Sequence, residues 1–200
     1  MNDLRRFAPA TARNRDPILE VLQSVVPRDA RVLEIASGSG EHAVYLAERL
    51  PVKSWQPTDP DAPSRDSIDA WRAELETPHV LPALELDVMR WPWPTREADV
   101  LVCINMIHIS PWEASEALMR GAAATLGPSG VLFTYGPYRR GGAHTAPSNE
   151  AFDASLRARD ARWGVRDLEA LEQLAAEQGL TLEQVVAMPA NNFSLVFRKR

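Results

Sequence analysis

The chain has 200 residues, 45% apolar and 24% charged, which suits one soluble domain with a full core and leaves little for a second. Its formal charge of -5 argues against wrapping a nucleic-acid backbone, which needs a basic face. The amino terminus "MNDLRRFAPATARNRDP" has no apolar signal core, no apolar run is long enough to span a bilayer, and the single Cys103 permits no internal disulfide, so a reducing, cytoplasmic setting is expected.

Helix and strand signals alternate along the chain without repeats, which predicts a parallel sheet with helices on both faces. Asp16 followed by Pro17 reads as a helix start, with Ile18, Leu22 and Val25 on one face. "RVLEIA" is the first strand and "EHAVYLAERL" its helix. The second strand, "KSWQPT", ends at the turn "DPDAP", and the helix "SRDSIDAWRAEL" follows with Ser64 as its cap. "ALELDV" is the third strand, and the prolines of "MRWPWPTREA" place that segment in a loop. The fourth strand, "DVLVCINMI", is almost wholly apolar, as a strand buried on both faces should be, and Cys103 within it reads as an inert buried thiol. The helix "EASEALMRGAAATL", the turn "GPSG" and a fifth strand, "VLFTYG", come next.

After Gly136 the rhythm breaks. The segment around residues 137–166 far exceeds the roughly 2 to 6 residues usual between such elements, which predicts a functional insertion with its own helix starting near Asn149. The helix "DLEALEQLAAEQ" leads into "LEQVVAM" and "NFSLVFRKR", joined by "PANN". So short a link requires an antiparallel hairpin. The expected fold is a single α/β domain over residues 1–200, with a seven-stranded Rossmann-like sheet, parallel except for an antiparallel last strand.

The chemistry concentrates at the first turn. "GSGEHA" satisfies the fingerprint G-x-G-x-x-G/A, in which Gly38 and Gly40 let a ligand approach the backbone and the helix behind offers unpaired amides. A nucleoside ligand also needs its ribose diol held, and Asp59, ending strand two, is placed for that; Asp61 is an alternative, and an Asx turn is the structural one. NAD and S-adenosylmethionine fit this much equally. Glu34, inside strand one where a dinucleotide site wants an apolar residue, favours a ligand with an ammonium group, as the methionine part of S-adenosylmethionine has. A buried carboxylate without a partner is costly, and the sequence suggests no structural partner for it. The terminal hairpin points the same way, being characteristic of class I methyltransferases and unusual in dinucleotide domains.

"VLEIASGSG" resembles the methyltransferase pattern E-x-G-x-G-x-G, with Ala36 where the first glycine is expected. "FAPATARNRDPIL", "WQPTD", "CINMIHISPW", "YGPY", "SNEAFDASL", "WGVRDLE" and "NNFSLVF" resemble, over nearly the whole chain, one family in particular. Its animal members are called methyltransferase-like protein twenty-six, and its bacterial members are labelled class I S-adenosylmethionine-dependent methyltransferases of unknown function. The resemblance implies a class I methyltransferase fold with S-adenosylmethionine as cofactor. Glu34, Ala36, Ser37, Gly38 and Gly40 would then line its methionine end and Asp59 would hold the ribose. Asp87 and Val88 would meet the adenine, with Asn105 and Met106 closing the pocket.

Methyl transfer needs the acceptor in line with the methyl group, and a base where the acceptor carries a proton. His108, after strand four, reads equally as that base or as a loop-orienting residue. The chain lacks the [DN]-P-P-[YF] motif of amine methylation on planar bases, a cysteine placed for attack on a pyrimidine, and the acidic set that holds magnesium in catechol methyltransferases. A small-molecule acceptor is therefore expected, with no nucleic acid, membrane or metal; the acceptor atom and oligomeric state stay open. The insertion is the expected substrate lid, offering Tyr138, Arg139, His144, Asn149 and Asp153, with Asn14 and Asn192 covering the site from the other side. Arg139 and Arg140 read either as an anion clamp or as a solvated loop. A non-catalytic cofactor-binding module within a complex is the rival reading, with an NAD-dependent oxidoreductase behind it.

Overall fold

In the computed structural model, residues 3–95 and 97–200 are described. Their strands are β1 (Ala30–Ile35), β2 (Val52–Pro57), β3 (Ala98–Ile104), β4 (Leu126–Gly136), β5 (Tyr138–Arg139), β6 (Arg166–Asp167), β7 (Leu180–Met188) and β8 (Asn192–Lys199). Six of them form one sheet in the order β2-β1-β3-β4-β8-β7. All run parallel except β8, which lies antiparallel between β4 and β7. The expected antiparallel last strand is therefore present. β5 and β6 pair separately at the two ends of the insertion.

The seventh place, outside β2, is filled by a broken segment. Trp55 bridges Val80 and Thr58 bridges Leu84, both parallel. Pro82 between them has no amide to donate, so the ladder is interrupted. The pairing thus begins before "ALELDV", and that run contributes the strand's end rather than a continuous strand.

Helices α1 (Thr11–Val25), α2 (Glu41–Ala47), α3 (Ala62–Glu74), α4 (Trp112–Thr125), α5 (Pro147–Arg159) and α6 (Leu168–Glu177) cover the sheet. α1 starts five residues before the expected Asp16, because Thr11, Asn14, Ile18, Val21, Leu22 and Val25 form one continuous buried stripe. That stripe outweighs the hydrogen bond lost at Pro17, and Asp16 instead accepts from the Tyr45 hydroxyl. α3 is capped by Asp61, not Ser64: Asp61 Oδ2 accepts from the Ser64 amide at 3.1 Å. Ser64 lies inside the first turn, where its own amide is one of those needing a partner.

Side chains alternate between two cores, as strand geometry requires. Val32, Val100, Val102 and Phe133 pack with α1 and α2 on one face, and Leu33, Leu101, Cys103 and Leu132 pack with α4 and α6 on the other. α5, within the expected insertion, begins two residues before Asn149.

One packing contact reaches the carboxyl ends of the strands. Trp93, from the proline-rich loop, is buried against Gly121 of α4 and donates its indole N–H to the Val88 carbonyl at 3.1 Å. A Cβ placed on Gly121 would lie 2.1 Å from the Trp93 ring. Gly121→Ala is therefore expected to lower stability by about 1 to 3 kcal/mol, as overpacked cores do, read from urea denaturation.

Candidate functional site

A cleft of about 400 Å³ opens at the carboxyl ends of β1, β2 and β3, where open α/β sheets bind ligands. Ala36, Gly38, Asp59, Asp87, Val88 and Met106 line it together with Ile35, Ile104, Ile109, Pro111 and Trp163. Its walls are thus mainly apolar with a few carboxylates, the usual make-up of a small-molecule pocket. A larger hollow of about 600 Å³, around Asp29, Asp99, Ser129 and Arg198, lies at the opposite, amino ends of the strands.

The turn after β1 is strained to make the cleft. Ala36 (φ 55°), Gly38 (φ 60°) and Gly40 (φ 89°) are all left-handed. Ala36 takes up there the backbone conformation that glycine would adopt without strain, at a cost of roughly 1 to 2 kcal/mol. Beside Gly38 the space is open, with no atom within 4 Å of a Cβ built on it. Gly40 serves differently: a Cβ there would meet the Ile68 Cα at 2.7 Å, so this glycine lets α2 approach α3 and does not line the cleft.

Asp59 closes the turn. Its Oδ2 accepts from the Gly38 amide at 3.0 Å and its Oδ1 from the Asp61 amide at 2.9 Å. Both sequence readings meet here, since the local turn bond and the cleft-facing position coexist. Burial raises the Asp59 pKa, opposed by those two backbone bonds. Ser37 ties the same turn to β2, its amide donating to the Thr58 carbonyl at 2.8 Å and its hydroxyl accepting from the Thr58 amide at 3.2 Å.

Glu34 lies behind the turn, outside the cleft lining, with 1% of its surface exposed. The structure gives it the partner that the sequence did not suggest: the Trp55 indole donates to its Oε2 at 2.9 Å. Burial nevertheless pushes its pKa up to about 7, against the hydrogen bonds from Trp55 and Ser37. Asp87 lines the cleft and accepts from the Met89 amide at 3.0 Å, while Val88 beside it is held by Trp93. Asn105 ends β3 in a left-handed conformation (φ 64°), its amide donating to the Tyr135 carbonyl at 2.9 Å.

The expected acceptor-side residues separate into two groups. Tyr138 is buried in the core with its hydroxyl 3.0 Å from Thr134 Oγ1, and Arg139 is paired with Asp167 at 2.7 Å. Neither lines the cleft. Asp153 holds the insertion together, accepting from the Val165 amide at 2.6 Å and from Arg157 at 2.9 Å, with His144 3.7 Å away. Asn149 donates to the Asn191 carbonyl at 2.8 Å, fastening α5 to the turn before β8. His108 is buried, its ring edge-on to Phe152, and burial followed by the Arg166 charge lowers its pKa to about 4.

Two further polar residues near these groups were not singled out from the sequence. His42, in the first turn of α2, lies 2.8 Å through Nε2 from Asn14 Oδ1. Tyr135, near the end of β4, is buried, and that burial raises its hydroxyl pKa, opposed by hydrogen bonding to Asn14 and Asn192. The position of Tyr135 at a strand's carboxyl end is the signal that could have found it. Trp163, within the expected insertion of residues 137–166, does line the cleft. It is carried there by Gly164, whose amide donates to the His108 carbonyl at 3.0 Å, and by Arg166, which donates to the Ser110 carbonyl at 2.7 Å. Among the described residues, no group of three or more His, Cys, Asp or Glu is arranged to hold a metal, and Cys103 is buried with its thiol pKa pushed up to about 12.

A family model described as a protein of unknown function (DUF938) matches residues 5–199. Among solved structures, the chain is similar to an O-methyltransferase family protein from Burkholderia thailandensis, at 17% identity and a TM-score of 0.81, covering 95% of this chain and 57% of that one. It is similar also to the YcgJ protein from Bacillus subtilis, at 15% identity and a TM-score of 0.71, covering 93% of this chain and 97% of that one. A TehB-like S-adenosylmethionine-dependent methyltransferase from Corynebacterium glutamicum is 16% identical with a TM-score of 0.65, covering 91% of this chain and 86% of that one. The chain thus spans little more than half of the first protein and most of the other two. At these identities the likeness shows a common fold, that of class I methyltransferases.

The buried Glu34 makes a pH prediction. Between about pH 4.5 and 7 the folded chain keeps a proton on Glu34 that the unfolded chain has released, so stability falls as pH rises through that window. Relative to Glu34→Gln, the wild type should lose up to roughly 1.4 kcal/mol per pH unit there, measured by urea unfolding of both proteins. His42 and His108 titrate in both and drop out of the difference.

Proposed function

The chain belongs to the DUF938 family of proteins of unknown function, and from that premise we propose that it binds S-adenosylmethionine in the cleft beside Gly38 and methylates a small-molecule acceptor. The observation that carries this reading is the Asp59 carboxylate, held at the lip of the cleft by the Gly38 amide, in a sheet whose last strand is antiparallel. The resemblance of the chain's motifs to the methyltransferase-like protein twenty-six family and the methyltransferases among its structural neighbours support it.

The residues fit an adenosyl sulfonium. Asp59 keeps free lone pairs beyond its two backbone bonds and would accept from the ribose hydroxyls. Asp87 and the adjoining Val88 backbone would meet the adenine edge, while Ile109, Pro111 and Met106 exclude water from its faces. The open space at Gly38 leaves room for the methionine end, and an ammonium seated there would draw off the proton that burial keeps on Glu34, behind Ser37. When bound, S-adenosylmethionine supplies an electrophilic methyl: an acceptor lone pair forms the new bond, the carbon–sulfur pair returns to sulfur, and an acceptor proton leaves to a base or to water. His108, neutral through burial, stands on the lid side as such a base. The acidic net charge favours a small acceptor over nucleic acid, and no described helix is long and apolar enough to cross a membrane.

The exposed Met89 and Trp91 favour one rival, a cofactor-binding module docked in a complex, which would show no turnover. Calorimetry tests the cofactor: S-adenosylhomocysteine should bind and NADH should not, and the reverse result overturns the reading. Asp59→Ala should weaken S-adenosylhomocysteine by about 1 to 3 kcal/mol, and unchanged affinity in a folded variant would exclude Asp59 as the ribose holder.

A further inference from the structure

The insertion sends one aromatic side chain into the cleft. Among the described residues that line it, Trp163 carries the only aromatic ring. Its own segment sets its place. The Trp163 amide closes a turn on the Asp160 carbonyl at 2.9 Å, and the Asp160 side chain accepts from the Arg162 amide within that turn at 2.9 Å. The next residues are anchored on two sides: the Gly164 amide donates to the His108 carbonyl at 3.0 Å, and the Val165 amide to Asp153 at 2.6 Å. Arg166 then donates to the Ser110 carbonyl at 2.7 Å. A Cβ built on Gly164 would lie 2.7 Å from Asp153 Oδ1 and 2.8 Å from the Arg157 guanidinium, so the close approach of this segment to α5 needs a glycine.

The backbone that anchors this segment is also the backbone of the cleft wall. The His108 and Ser110 carbonyls flank Ile109 and precede Pro111, and Ile109 and Pro111 both line the cleft. Those are the residues placed against the adenine faces, so the indole belongs to the adenine end, with Ala36 and Gly38 at the methionine end. The side chains of Ile109, Pro111 and Met106 are aliphatic, and a planar heterocycle finds its one flat, polarisable surface in the half-buried Trp163. A cation is the poorer occupant. The Arg159 guanidinium already lies over the indole, 5.1 Å from the ring centroid, and a second positive charge at the same ring would meet its repulsion.

We propose that Trp163 is a cofactor-binding residue, its indole stacking on the adenine ring of bound S-adenosylmethionine. The inference rests on the methyltransferase reading. It makes the turn that ends the insertion part of the cofactor site, although the insertion reads from its sequence as acceptor-side. The turn at Asp160, the close approach at Gly164 and the Asp153 bond hold the segment in place, so little freedom remains to be lost when the purine settles on the indole.

The test follows tryptophan emission and calorimetric affinity together, on the full chain. S-adenosylhomocysteine should quench wild-type emission. Trp163→Phe, which keeps an aromatic ring, should bind it within about threefold of wild type yet lose most of the quench. Trp163→Ala should weaken S-adenosylhomocysteine and S-adenosylmethionine alike, each by at least about fivefold, the scale of a lost base–aromatic stack. A wild type that binds without quenching, a quench that persists in Trp163→Phe, or wild-type affinity in Trp163→Ala overturns the stack. So does a loss confined to S-adenosylmethionine, which would put the indole over the sulfonium. Should Trp163→Ala fail to fold, the emission of Trp163→Phe decides alone. A wild type that binds no S-adenosylhomocysteine overturns the methyltransferase reading and this contact with it.

Discussion

The bond between the Asp59 carboxylate and the Gly38 amide fixes the turn from which the rest of the rim is hung. A left-handed alanine and a left-handed glycine two residues apart form a conformation that a free chain would seldom hold. Asp59 and the paired Ser37–Thr58 bonds clamp it to the end of β2. α2 departs from that turn, and the contact of Gly40 with Ile68 sets its distance from α3. His42 is the second residue of α2, so the place of its imidazole against Asn14 follows from the same clamp. Strain at Ala36, the open space beside Gly38 and the position of His42 all belong to this one clamped turn.

Around this turn, burial acts on charge in a consistent direction. Glu34 is moved up to about 7, His42 and His108 down to about 4, and Tyr135 and Asp59 upward, each with desolvation as the largest cause. The neutral form is favoured in every case. Arginine charges add to this for the histidines: Arg15, which lies over the Tyr45 ring, acts on His42, and Arg166, bonded to the Ser110 carbonyl, acts on His108.

Much of this was legible from residues close in sequence. The glycine turn, the acidic residue ending β2, the closing hairpin and a helix inside the insertion all carry local signals. What was not legible depends on distant partners. The early start of α1 follows from a buried stripe that includes Asn14, a residue that reads as a turn former. Glu34 had no visible partner because Trp55 comes 21 positions later, on the neighbouring strand. The tyrosines of "TYGPY" show the limit most clearly. Tyr138 begins the insertion and reads as a substrate residue, whereas the structure packs it with the α4–α6 core and leaves Tyr135, on the opposite face, beside Asn14. Parity along a strand is readable; which helices are laid against each face is not.

The insertion and the cleft are joined by a very short piece of chain. Trp163 forms part of the cleft wall, and two residues on, the Val165 amide is gripped by Asp153 of α5. α5 is in turn moored by Asn149 to the turn before β8. Two fixed points, the Asp153 carboxylate on α5 and the Asn191 carbonyl before β8, therefore set where the Trp163 segment leaves the insertion.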